Sequence, residues 1–213
     1  MRMQSEREQV VESGKKLITH GLTKGTGGNI SVFDRTTGLM AISPSGIDYF
    51  ETTPEDVVVM DLAGNIIEGM RKPSVEHGLH SIFYEKREDI GAVVHTHSVY
   101  SVVLASLGWS VPAAFYLEAI SGSTQVPCAQ YARFGTRELA DSAFAAMEGR
   151  YAALLANHGL IAGGKNLVYA FNVAEEIEFC AEVYYRAKCV GEPNIVPDDE
   201  IRAMLVAFAT YGQ

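Results

Sequence analysis

The 213-residue chain predicts an α/β fold, a mixed and largely antiparallel sheet with helices on both faces. Three observations predict it. Short apolar runs that read as strands outnumber those a βαβ repeat would give. Several of them are joined by tight turns, too short for a helical crossover. Between and after them lie stretches of helical period, including a long one over residues 167–190.

The elements follow in order. Residues 5–22 read as an amphipathic helix, with Val10, Val11, Leu17 and Ile18 as its apolar stripe and Gly21 as its stop. Thr26-Gly27-Gly28-Asn29 is a glycine-rich turn that leads into the strand-like Ile30-Ser31-Val32-Phe33. Residues 34–38 carry turn chemistry, and Leu39-Met40-Ala41-Ile42 returns as the second arm of a hairpin. Ser43-Pro44-Ser45-Gly46 is another tight turn. Val57-Val58-Val59-Met60 and Asn65-Ile66-Ile67 flank residues 61–64 as a second hairpin. Pro73 opens a helix that runs to about residue 86. Residues 92–97 form a buried strand, followed by a helix from about residue 100. Residues 135–147 are helical, and residues 153–163 read as strand, turn and strand around His158. The helix over 167–190 and a last one over 197–210 complete the chain. No repeat, low-complexity tract or linker interrupts it, and residues 1–213 are expected to form a single domain.

Composition narrows the function. A hydrophobic share of 47% and a charged share of 20% are ordinary for a globular protein. The net charge of -9 argues against a nucleic-acid surface, which needs clustered Lys and Arg. No apolar run approaches bilayer length, and no cationic start precedes an apolar core, so neither a membrane partner nor a signal peptide is expected. Cys128, Cys180 and Cys189 lack metal-ligand spacing. On one helix Cys180 and Cys189 would face roughly opposite ways and could not pair. Three unpaired thiols suit the cytoplasm.

The chemistry concentrates at His95-Thr96-His97, which closes the apolar run Gly91-Ala92-Val93-Val94. Alternate strand residues share a face, so both imidazoles project together. Taken alone, such a pair also describes hydrogen-bonded residues at a sheet edge. A third histidine, His158, sits in Asn157-His158-Gly159-Leu160. Three neutral histidines and an open position describe a catalytic metal site. Glu76 follows Pro73-Ser74-Val75 at the start of the predicted helix. It is read either as a helix cap or as the acid/base beside the metal. His80, one turn beyond Glu76, defines a rival site on the same helix face. His20 ends the first helix as a surface residue. Three small-residue turns, at Gly27-Gly28-Asn29, Ser43-Pro44-Ser45-Gly46 and Pro73-Ser74, offer backbone N–H groups and short polar side chains. Jointly they suggest a phosphate pocket built without Lys or Arg.

Six segments now align with a known pattern. They are Gly25-Thr26-Gly27-Gly28-Asn29-Ile30-Ser31, Ser43-Pro44-Ser45-Gly46-Ile47, Lys72-Pro73-Ser74-Val75-Glu76, and Ala92-Val93-Val94-His95-Thr96-His97. Next come the run from Pro127-Cys128-Ala129-Gln130-Tyr131 through Phe134-Gly135-Thr136-Arg137-Glu138-Leu139, and Asn157-His158-Gly159-Leu160-Ile161-Ala162. In order and spacing the chain resembles the class II, metal-dependent ketose-phosphate aldolases, and specifically the L-fuculose-1-phosphate aldolase group. The resemblance implies a three-layered α/β/α fold with a central, mainly antiparallel sheet, and a homotetramer with sites between subunits. It implies that His95, His97 and His158 bind Zn²⁺, or Mn²⁺ or Co²⁺, and that Glu76 is the catalytic carboxylate and a ligand of the empty metal. Tyr116 matches a tyrosine that reaches the neighbour's site as a proton donor. Gly28, Asn29, Ser45, Gly46 and Ser74 match phosphate-binding turns, and Phe134 and Tyr211 match aromatics walling the aldehyde side.

Two departures bear on the sugar. Val75 stands where this group usually has a second hydroxyl residue, and the chain stops at Gln213, just past Tyr211. The implied reaction is reversible cleavage of a ketose 1-phosphate to dihydroxyacetone phosphate and an aldehyde. The ketose is L-fuculose 1-phosphate or a 5-deoxy- or methylthiopentulose 1-phosphate. Ribulose-phosphate 4-epimerases and methylthioribulose-phosphate dehydratases are rivals on the same scaffold. The epimerases typically carry Asp where this chain has Glu76. Adducin-like binding modules lack the intact histidines.

Overall fold

In the computed structural model, which describes residues 1–208, an eight-stranded sheet lies between two layers of helices. Chain order is α1 (Gln4–Thr19), β1 (Asn29–Asp34), β2 (Leu39–Ile42), β3 (Val58–Asp61), β4 (Ile66–Glu68), α2 (His77–Lys86), β5 (Ala92–Thr96) and α3 (Val99–Ser106). There follow β6 (Val111–Pro112), a 3₁₀ turn (Tyr116–Ser121), β7 (Gln125–Val126), β8 (Cys128–Ala129), α4 (Arg137–Ala146), β9 (Ala152–Leu155), β10 (Gly159–Gly164), α5 (Leu167–Val190) and α6 (Asp198–Phe208). The sheet order is β4-β3-β2-β1-β5-β10-β9-β8. Every pair is antiparallel except β8 with β9. This is the largely antiparallel, three-layered α/β arrangement that the strand count and short turns predict.

Strand alternation divides the core in two. Ile30, Ala41, Val59, Ala92, Val94, Leu160 and Ala162 pack under α1 and α5. Met40, Ile42, Val58, Val93, Ala153 and Ile161 pack under α2 and α4. Successive residues of one strand thus serve opposite layers. The long α5 holds its place through a stripe of Ala170, Val173, Ala174, Ile177 and Ala181, which recurs at three- and four-residue steps and lies against β5 and β10.

Two expectations shift. Pro73 does not open α2, which starts at His77. Pro73 instead bridges Pro44, and the Ser45 and Ser74 amides donate to the carbonyls of Lys72 and Ser43 at 2.9 and 3.1 Å. These cross-links hold the segment extended. The strand read over 92–97 ends at Thr96. The two-residue strands β6, β7 and β8 carry too few residues for a readable period.

Candidate active site

Alternation also decides where the chemistry falls. His95 continues the series of Val93 toward the α2 layer. His97 lies one residue past the strand, and its ring still meets that of His95, with centroids 4.8 Å apart. His158 arrives from the β9–β10 turn, 4.7 Å from the His95 ring and 5.3 Å from that of His97. Asn157 delivers it with a φ of 55°, a left-handed conformation that asparagine adopts more readily than most residues. The Asn157 and His158 amides donate to the carbonyls of Ala105 and Leu155, which fixes the turn. Gly159 then lets β10 close on β5. A Cβ there would lie 2.2 Å from the Thr96 carbonyl oxygen and 3.3 Å from the His95 ring.

One ligand atom from each of the three histidines lies within 4.8 Å of the others. His95 Nδ1 is 2.9 Å from the Leu160 carbonyl oxygen. A carbonyl only accepts, so Nδ1 carries the proton and Nε2 presents a lone pair. That lone pair faces His97 Nε2 at 3.0 Å. Burial, then the neighbouring His158 and His97, hold His95 well below its usual pKa. Burial and His158 lower that of His97. Neutral imidazoles are the ligating form.

Glu76 occupies the N-cap position of α2 yet makes no side-chain cap hydrogen bond, which sets the capping reading aside. It is buried, with Oε2 3.5 Å from His95 Nε2 and Oε1 3.4 Å from His158 Nε2. The His158 contact lies within Coulombic range without hydrogen-bond alignment, so Oε1 is shielded from solvent and unpartnered. A buried, unsatisfied carboxylate oxygen beside converging imidazole lone pairs is what a divalent cation satisfies. The donor set therefore fits a metal ion.

His80 is absent from this cluster and is not an alternative ligand. It is fully buried on the strand side of α2, between Asn29 and Ser31. His20 ends α1 half-exposed and pairs with Glu175.

The three small-residue turns converge. Gly28, with φ 71°, allows the first turn to press on β5: a Cβ there would lie 2.6 Å from the His95 carbonyl oxygen. Ser43 Oγ accepts from the Ile30 amide, and Ser74 Oγ accepts from the Glu76 amide. Ser45 and Gly46 are exposed, and Ser74 is buried. Asn29 gives one N–H of its carboxamide to Glu76 Oε2 at 2.9 Å.

A cavity of about 300 Å³ is lined by Glu76, His97, Tyr131, Ala132, Phe134, Asn157 and His158. Tyr131, Ala132 and Asn157 were not singled out from sequence. Asn157 had a signal, since an Asn directly before a turn histidine suits a left-handed position. Tyr116 lies outside this lining, on the 3₁₀ turn, with its ring against Phe115. Tyr211 lies outside the described residues.

Comparison with known proteins agrees with this geometry. Residues 8–185 match the Class II Aldolase and Adducin N-terminal domain family. The 5-deoxy-D-ribulose 1-phosphate aldolase of Bacillus thuringiensis serovar kurstaki is 59% identical, over 100% of both chains. The L-fuculose phosphate aldolase of Escherichia coli K12 is 39% identical, over 96% of this chain and 94% of its own. A solved L-fuculose 1-phosphate aldolase superposes with a TM-score of 0.95 at 51% identity, covering 98% of each chain. The chain belongs to the class II aldolase and adducin family. Within that family it is a class II aldolase, a metal-dependent aldehyde-lyase.

Proposed function

We propose that this aldolase reversibly cleaves a 5-deoxypentulose 1-phosphate, or its methylthio or L-fuculose counterpart, between C3 and C4. The products are dihydroxyacetone phosphate and an aldehyde. The observation that carries the reading is the buried Glu76 carboxylate, unpartnered at Oε1, set against three histidines beside a sugar-sized cavity. The 59% identity to a 5-deoxy-D-ribulose 1-phosphate aldolase supports the pentulose.

His95, His97 and His158 would hold the ion, with Glu76 as a further ligand before substrate arrives. A nitrogen-rich set favours Zn²⁺, with Mn²⁺ or Co²⁺ as substitutes. Once bound, the ion supplies Lewis acidity to the ketone. Tyr116, contributed from a neighbouring subunit, takes the C4 hydroxyl proton. The C3–C4 bond breaks, its electron pair stays on C3, and the C4 oxygen becomes the aldehyde carbonyl. Glu76, entering as the acid, gives its proton to C3. Gly28, Asn29, Ser45, Gly46 and Ser74 hold the phosphate through backbone N–H groups and short side chains. Asn29 keeps one N–H beyond the one given to Glu76. Phe134 and Tyr211 wall the aldehyde. The working unit is a homotetramer in a reducing cytoplasm, each chain acting as one domain over residues 1–213.

The test is product analysis on chelated and metal-reloaded protein with a panel of ketose 1-phosphates, and with pentulose 5-phosphates as controls. Dihydroxyacetone phosphate should appear from a 1-phosphate only after reloading, and never from a 5-phosphate. Turnover in verified metal-free protein, or substrate loss without dihydroxyacetone phosphate, overturns the reading.

A further inference from the structure

A chain of buried polar groups runs from α2 through β1 to Glu76. Tyr84 Oη lies 2.6 Å from Ser31 Oγ, and Ser31 Oγ lies 2.7 Å from His80 Nδ1. His80 Nε2 lies 2.5 Å from Asn29 Oδ1, and Asn29 Nδ2 lies 2.9 Å from Glu76 Oε2. All five residues are buried. In a buried chain of this kind each bond's direction constrains the next.

The direction can be worked out from the Glu76 end. The Asn29 amide nitrogen only donates and faces Glu76 Oε2, so the carboxamide oxygen is turned toward His80. That oxygen only accepts, so His80 Nε2 carries a proton. Burial keeps His80 neutral, with its pKa lowered to about 3. Its other nitrogen, Nδ1, is therefore a bare acceptor. Ser31 donates to it, and the single Tyr84 proton is shared between Ser31 Oγ and the Ser31 carbonyl oxygen, which lies 3.1 Å from Tyr84 Oη. Each of the four links is then made by one donor and one acceptor in a single polarity.

We propose that His80 is a positioning residue for the aldolase reaction: its Nε2–H locks the Asn29 carboxamide, which in turn holds the Glu76 carboxylate against the three-histidine cluster. Without that donor the Asn29 amide is free to turn its oxygen toward Glu76 and push the carboxylate away. The proposal rests on Glu76 being the proton carrier, and it adds what aims that carrier.

Two measurements test it. The first needs no turnover: ¹⁵N-resolved spectra of the metal-free protein should report His80 as the neutral Nε2–H tautomer, and the Nδ1–H tautomer overturns the proposal. The second is kinetic. His80→Leu should lower kcat roughly 10- to 100-fold, the range found when a supporting hydrogen bond to a site residue is removed. KM, bound metal and melting behaviour should change far less. His80→Gln places an amide N–H near the lost Nε2–H and should recover most of that kcat. Equal impairment in the Leu and Gln variants would reduce His80 to packing and overturn the proposal. In a Glu76→Gln background, His80→Leu should change the residual rate little, and a full further loss would mean that His80 does not act through Glu76. The separate case, a Glu76→Gln enzyme with wild-type rate, would remove the proton-carrier role itself while leaving the tautomer result standing.

Discussion

At the scale of single residues, Gly159 decides whether the histidines can meet. Any side chain there would collide with the Thr96 backbone oxygen at 2.2 Å and crowd both the His95 and His97 rings. Gly159→Ala is expected to push β10 off β5, costing about 1–3 kcal/mol of stability as overpacking does. It should also weaken metal retention at least tenfold in competition with a chelator. Unchanged retention would mean that the strands yield without moving the rings. The histidines themselves were legible as candidates in the sequence, although only His95 lies within the strand, His97 following it by one residue and His158 arriving from a turn. The hydrogen bond between Asn29 and His80 was not. Asn29 read as a phosphate-turn residue and His80 as a rival ligand. Their engagement with each other depends on how α2 lies across β1, which local spacing does not encode.

At the scale of elements, the long helix α5 was fully legible, since its apolar stripe recurs at helical steps over residues 167–190. The start of α2 was not, because a backbone bridge between Pro44 and Pro73 overrides the ordinary preference for proline in a first helical turn. The 3₁₀ turn packed on α5 hides a carboxyl that sequence also left unmarked. Glu118 is fully buried, with the Val126 amide and the Cys180 thiol as its polar neighbours. Burial pushes its pKa from 4.5 to about 8, against smaller opposing pulls from the Val126 amide and the Cys180 thiol. Between those two pH values the folded chain keeps a proton that the unfolded chain has lost. Folding stability from this group therefore declines as pH rises from about 4.5 to 8. Glu118→Gln, neutral at every pH, should melt near the wild type at pH 4.5 and progressively higher than it as pH approaches 8. A Tm difference that stays flat across that range would show that the carboxyl is not held protonated.

At the scale of the molecule, the question is where one working site ends. Tyr116 is 45% exposed and lies outside the cavity that holds Glu76 and the histidines, as a group serving a neighbouring site would. The shared-site arrangement predicts complementation. Glu76→Gln and Tyr116→Phe subunits, each nearly inactive alone, should regain part of the wild-type activity when co-assembled, because some interfaces then contain both wild-type groups. A mixture that stays inactive would place both groups within one chain and remove the shared-site model, while leaving the metal chemistry intact.

The bridge between Pro44 and Pro73 has a further consequence. It ties the turn bearing Ser45 and Gly46 to the one bearing Ser74, and the Ser74 hydroxyl oxygen accepts a hydrogen bond from the Glu76 amide at 3.2 Å. The residues proposed as phosphate seat and proton carrier, Ser74 and Glu76, are thus adjacent parts of one braced segment, only two residues apart along the backbone. On the proposed roles such a segment would work as a molecular ruler. With its phosphate seated, a ketose would have its reacting carbon at a separation set by the backbone, so the enzyme would recognise a distance as much as a group. A 1-phosphate is expected to meet that separation at C3, and moving the same phosphate to C5 is expected to cost turnover although every atom the turns recognise is still present.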